Sequence, residues 1–347
     1  MKHFHSNHDS QETTARAGPA FLRSPAKRRR IVLTLLFLAA LGVAVGFIPV
    51  GGTKVARNDF SKNETEVTAM NLSSYSKDRP KKSLHLLFIH HSTGGQLMAD
   101  FGQDNGQSCI YQTNANGGGL RALLQKEGYI VHEASYDSEV GDKTDIFDWP
   151  RKFKEMMDKV LLCDHQNTYF KDGTKNQIVV FKSCFPQNDF VGIGQEPGNP
   201  SGPDLTVANA KAAYDSLLPE FAKYPETLFV AMTAPPLVGH LEPEPLWKHL
   251  ARVILRRTRT KPSTAGHLAR QFNNWLKSEK GWLSTYDRKN VVVFDYYDIL
   301  TDYGKSNYAE FPSGNGNDSH PNTVGNTKAA LVFLPFLNQV VRRAGLE

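Results

Sequence analysis

The sequence predicts an α/β protein: a three-layer α/β/α sandwich around a five-stranded parallel sheet, preceded by one transmembrane helix. Two observations carry this. Five short apolar runs after residue 84 are each followed by a segment of helical character, the alternation expected of parallel strands with helices on both faces. Ahead of them, residues 31–50 (IVLTLLFLAALGVAVGFIPV) hold no charged side chain, and about 20 helical residues reach across a ~30 Å hydrocarbon core.

The elements follow in order. LHLLFIH (84–90) is the first strand and runs into His90-His91-Ser92-Thr93-Gly94-Gly95. Leu120, Leu123 and Leu124 lie at helical spacing after three glycines, and YIVHEA (129–134) is the second strand. A helix is expected over 147–162, with Pro150 in its first turn. NQIVVFKS (176–183) is the third strand, β-branched and flanked by turn residues. A helix near 206–222, a strand over 227–233, a helix near 265–278, a strand over 290–297 and a closing helix near 323–343 complete the set.

The 347 residues carry 41 Lys and Arg against 35 Asp and Glu, a net charge of +6. Residues 1–30 hold seven basic and two acidic side chains, so the chain beyond them is close to neutral. The basic balance belongs to a tail, and a nucleic-acid-binding domain loses its support. Lys27-Arg28-Arg29-Arg30 before the apolar run favours a cytoplasmic N-terminus. The expected organisation is a basic cytoplasmic tail (1–30), a signal anchor (31–50), a flexible stalk (51–83) and an extracytoplasmic domain (84–347).

In open parallel sheets ligands bind beyond the carboxyl ends of the strands. Ser92 stands there after the first strand, on a turn followed by glycines. Gly141 follows the second strand and Asn188 the third. His320 precedes the last helix, with Asp318 two residues before it. A serine nucleophile needs a base, and the base needs a partner that sets its tautomer.

The order of these residues resembles the SGNH/GDSL hydrolase superfamily, over about residues 84–343. The resemblance implies a flavodoxin-like SGNH fold, Ser92 as nucleophile, His320 as general base, and Gly141 and Asn188 as oxyanion donors beside the Ser92 N–H. His320-Pro321-Asn322 with Gly325 is the strongest match. Three departures stand out: His90-His91 replaces the usual Gly-Asp before the serine, Pro-Gln precedes Asn188, and Asn317 occupies the family's usual Asp position. Asp318 is the expected third member, and His91 is expected to orient Ser92 or contact substrate.

No cofactor or metal is expected, because no HExxH or cysteine pair supplies a ligand set. Cys163 and Cys184 flank the third strand and either pair or remain buried thiols. Arg252, Arg256, Arg257, Arg259 and Lys261 form a basic cluster beyond the fourth strand, either a solvated face or a lid. The function expected is a membrane-anchored serine esterase that removes O-acetyl or similar acyl groups from a glycan. An O-acyltransferase on the same site and a non-catalytic glycan-binding or assembly protein are the alternatives.

Overall fold

The computed structural model describes residues 69–240 and 261–347. The apolar run 31–50 and most of the basic cluster near Arg252 lie outside the described residues. Among the described residues no helix is long and apolar enough to cross a membrane.

The five expected strands form the centre of a seven-stranded sheet. They are β1 (Leu84–Ile89), β5 (Tyr129–Ala134), β8 (Ile178–Lys182), β9 (Leu228–Met232) and β10 (Val291–Phe294). β6 (Cys163–His165) and β7 (Thr168–Tyr169) extend one edge, giving the order β10-β9-β8-β1-β5-β6-β7. Every pairing is parallel except β6 with β7. The first strand thus lies between the second and third, so the strand order reverses at β1. That is the position where open α/β sheets place their ligand crevice.

Alternate side chains of each strand feed two cores. Leu84, Leu86 and Phe88 of β1 face one layer, with α1 (Thr93–Met98), α2 (Leu120–Lys126), α8 (Tyr296–Leu300) and α9 (Thr323–Arg343). Leu87 and Ile89 face the other, with α3 (Trp149–Glu155), α4 (Met157–Leu162), α5 (Val207–Asp215), α6 (Leu218–Phe221) and α7 (Pro262–Lys277). The period-two switch of burial is what a strand covered on both faces requires.

Some elements differ from expectation. The helix expected over 206–222 is two pieces, α5 and α6. Pro219 has no N–H to bond the Asp215 carbonyl, and α5 ends at that residue. The helix expected over 147–162 also divides, at Met156, whose backbone leaves the helical region. Between α1 and α2 lies a small sheet of β2 (Asp100–Phe101), β3 (Asn105–Gln107) and β4 (Ile110–Asn114). These polar strands carry little apolar patterning. The last unexpected pair is β11 (Pro312–Ser313) with β12 (Asp318–Pro321).

Residues 69–83, the end of the expected stalk, are bound to the domain. Met70 and Leu72 pack on the α9 side of the core. From α9, Asn338 donates to Lys77 O at 2.9 Å, Gln339 to Leu72 O at 2.7 Å and Arg342 to Asp78 O at 2.6 Å. Polar side chains of a helix here replace water at the carbonyls of an irregular segment, which gives it structure without apolar periodicity.

Candidate active site

Ser92 leaves β1 on a backbone no ordinary serine adopts, with φ 39° and ψ −97°. Such strain is held only where the surroundings impose it. Three contacts do so here. The His90 N–H bonds Ala134 O at 3.1 Å, which prolongs the β1–β5 pairing one residue past the strand. A Cβ on Gly94 would collide with His90, and one on Gly95 with the Cys109 carbonyl. The two glycines are therefore required by close approach, and the turn is clamped from both sides.

The Ser92 hydroxyl is hydrogen-bonded to His320 Nε2. On the far side of the ring, His320 Nδ1–H donates to Asp318 Oδ1 at 2.6 Å. The same oxygen accepts the His320 backbone N–H at 3.0 Å, and Ser313 donates to the other at 3.1 Å. Burial would raise the Asp318 carboxyl, but these bonds outweigh it and lower the pKa, so the carboxylate stays ionised. Phe185 stands edge-on to His320 with ring centroids 4.9 Å apart.

β12 explains the two-residue spacing between Asp318 and His320. Residues i and i+2 of a strand share a face, so this Asp and His point the same way. Asn322 then caps α9 by accepting the Gly325 N–H at 3.1 Å. A Cβ on Gly325 would lie 2.7 Å from Phe311 Cβ, so this glycine serves packing. A serine hydroxyl bonded to an imidazole that a carboxylate orients can lose its proton as it attacks a carbonyl.

The structure places the other expected site residues differently. The Gly141 N–H donates to Ser138 Oγ at 2.9 Å, and any Cβ there would strike Ser135. Asn188 is buried, and its amide donates to Ala234 O and Pro235 O, each at 2.9 Å. Its carbonyl oxygen accepts from Asn273 at 3.0 Å. Neither N–H group is free to meet an oxyanion in this arrangement. Asn188 instead ties the loop after β8 to the loop after β9. Of the three expected donors, the Ser92 N–H is the one that none of these bonds engages.

His91 does not present a free nitrogen to substrate. Its Nε2–H donates to Gly141 O at 2.8 Å, and its Nδ1 accepts from Thr144 at 3.0 Å. Burial is the main cause that lowers its pKa to about 4, so the ring is neutral near pH 7. It fastens the Gly141 loop to the serine turn. Tyr136 stacks on it at 3.7 Å between centroids and is 39% exposed.

His90 points into the opposite core and is fully buried. Its Nε2 bonds Glu133 Oε2 at 3.0 Å, and Arg121 Nε bonds Glu133 Oε1 at 2.6 Å. The third strand ends on a group whose place the sequence reading missed, Lys182. It is wholly buried, and its amine donates to Thr93 Oγ1 at 2.6 Å. A lysine closing an otherwise apolar strand was the available signal.

All three cysteines are free thiols, so Cys163 and Cys184 do not pair. The Cys163 carbonyl accepts from Asn176, before β8, whereas Cys184 follows β8. At ~3.3 Å per strand residue the two lie roughly 20 Å apart, far beyond the span of a disulfide.

No family model and no curated protein matches this chain. Among solved structures, a carbohydrate esterase family 2 enzyme with a carbohydrate binding domain, from Corynascus thermopiles (Myceliophthora fergusii), is similar at 16% identity and a TM-score of 0.37. The match covers 77% of this chain and 68% of that one. A catalytic mutant of Axe2, an acetylxylan esterase from Geobacillus stearothermophilus, is similar at 13% identity and a TM-score of 0.36, over 78% of this chain and 97% of that one.

Proposed function

We propose that the protein is a serine ester hydrolase of SGNH type, with Ser92 as nucleophile, His320 as general base and Asp318 as the group that orients it. The observation that carries this is the unbroken chain Ser92–His320–Asp318 at the strand-order reversal, with Ser92 on a strained turn. Ser92 Oγ attacks the ester carbonyl as its proton passes to His320 Nε2. The Ser92 N–H faces the oxyanion, and Asp318 stabilises the imidazolium. His320 then protonates the departing alkoxide, and a water activated by the same ring hydrolyses the acyl-enzyme.

The substrate we propose is a small acyl ester, O-acetyl or similar, on a glycan. The half-exposed Tyr136 ring supports it, since its inner face is fixed on His91 and its outer part is open for a sugar ring to stack. The apolar run 31–50 behind four basic residues supports a membrane anchor with the domain outside the cytoplasm. The deciding assay is release of acetate from an acetylated oligosaccharide by wild type and Ser92→Ala. Release by wild type alone supports hydrolysis at Ser92. Capture of the acyl group by an added glycan acceptor, in place of release to water, would assign a transferase.

A further inference from the structure

The Gly141 loop is held from behind by a charge. Lys152 of α3 is 4% exposed, and its ammonium donates to Val140 O and, at 2.6 Å, to Asp142 O. The Trp149 ring centroid lies 5.7 Å from the same nitrogen. Between those two carbonyls, Gly141 O accepts from His91 Nε2 at 2.8 Å. The N–H groups of the loop bond elsewhere: Gly141 donates to Ser138 Oγ at 2.9 Å and Asp142 to Ser138 O at 2.8 Å. Three successive carbonyls are thus taken by side-chain donors, two of them by one cation, and charge-assisted bonds are the stronger kind. Burying a lysine is unfavourable unless its charge is satisfied, and this one is satisfied by the loop alone.

The loop in turn holds the nucleophile. Both nitrogens of His91 are bonded by it, Nε2 to Gly141 O and Nδ1 to Thr144. His91 is the residue before Ser92, whose φ of 39° the surroundings must impose. The start of α3 also braces the loop on the other flank. Trp149 Nε1 donates to Ser183 Oγ at 2.8 Å, and the Ile146 N–H to Gln187 Oε1 at 3.1 Å. Because β1 stands between β5 and β8 in the sheet, the two braced loops lie on either side of the serine turn.

We infer that Lys152 is a positioning residue for Ser92: its charged amine locks residues 140–142, and through His91 that loop keeps the serine turn in its reactive conformation. The effect on catalysis rests on the esterase reading above, whereas the lock on the loop does not. An alkaline limit on turnover follows. Burial is the main cause that lowers the Lys152 pKa to about 8. The charged groups that face it are Asp148, ahead of α3, with Asp142 and Lys143 of the loop; the two acids raise its pKa and Lys143 lowers it. The amine is therefore mostly charged at pH 7. As pH rises through 8 it loses the proton, its bonds to Val140 O and Asp142 O lose their charge assistance, and the turn is held less firmly.

The test joins kinetics to hydrogen exchange on the full-length protein. With p-nitrophenyl acetate, corrected for spontaneous hydrolysis, wild-type kcat should fall about fivefold or more between pH 7.5 and 9.5. Lys152→Arg keeps its charge throughout and should lose that limb. Lys152→Met should show kcat about 10–10²-fold lower at pH 7.5, KM within a few-fold of wild type, and no limb near pH 8. A wild-type kcat that stays flat to pH 9.5 overturns the inference even if neither variant folds. So does a Lys152→Met protein with wild-type kcat and the same limb, and both of these outcomes leave the esterase reading standing. Amide exchange over residues 137–145 at pH 7 needs no catalysis and should be about tenfold faster in Lys152→Met. If wild type hydrolyses no ester, the esterase reading fails and exchange decides the lock: unchanged exchange overturns it, and faster exchange supports it.

Discussion

Two histidine–carboxylate couples flank the same serine, and they differ in everything except their ingredients. His90–Glu133 lies in the floor of the turn, fully buried, with Arg121 on the second carboxylate oxygen. His320–Asp318 lies at its mouth, with the histidine side chain 24% and the carboxylate 46% exposed. In the floor, Arg121 already neutralises Glu133 and burial lowers the His90 pKa despite the carboxylate. That ring is a structural wedge. At the mouth no cation among the described residues pairs with Asp318, and the other imidazole nitrogen faces a hydroxyl. Chemistry is assigned by the third partner of each couple, since the His and the acid are common to both.

The sharpest way to break the comparison is to delete each histidine. His320→Ala should lower ester hydrolysis by about 10⁴-fold or more, as losses of a triad member do, with the melting temperature nearly kept. If His90→Ala loses as much activity per folded molecule and His320→Ala does not, the roles are reversed. Next in size is Glu133→Ala, which strands Arg121 in the interior and should cost about 3–5 kcal/mol of stability in chemical denaturation.

Acid titration separates the two regions further. The folded Glu133 carboxyl is held down to about 2 from its ordinary 4.5, with burial opposing and the His90 and Arg121 bonds prevailing. Its contribution is complete above about pH 5 and disappears as pH falls through 4.5 towards 2. His91 runs earlier on the acid side. Its pKa falls from 6.5 to about 4 on folding, so the unfolded chain takes the proton first and stability declines as pH drops from 6.5 to 4. Unfolding free energies measured at pH 7, 5 and 3 should therefore show two successive losses. A flat profile from pH 7 to 5 would contradict the neutral, buried His91.

A smaller effect tests the loop ties. Asn188→Ala should cost about 1–3 kcal/mol of stability, because two backbone carbonyls lose their donor. Its turnover per folded molecule should stay within a few-fold of wild type. A fall of ~10²–10³ in kcat with unchanged stability would restore Asn188 as an oxyanion donor. The smallest change expected is in Tyr136→Ala, a several-fold rise in KM for an acetylated oligosaccharide with little change for an aryl acetate.

The five central strands were legible because each is an apolar run bounded by turn residues. The small sheet over residues 100–114 was not, since its strands are polar and held by backbone pairing. The relation of Ser92 to His320 was legible through their positions at strand ends and the family resemblance that their order carries. The pairing of Asp318 with His320 became clear once β12 showed that the segment is extended. What no local pattern encodes is engagement. Gly141 and Asn188 sit in the expected stretches of chain, yet Ser138, Ala234 and Pro235 occupy their N–H groups. Likewise, nothing in His90-His91 distinguishes a wedge from a loop clamp until strand alternation sends the rings to opposite faces.

The central claim, that Ser92 is activated by His320, is most directly tested by reaction with a fluorophosphonate followed by peptide mapping. The account predicts one adduct, on Ser92, absent from Ser92→Ala and His320→Ala and retained in folded His90→Ala. An unlabelled wild-type Ser92, or undiminished labelling in His320→Ala, would contradict it.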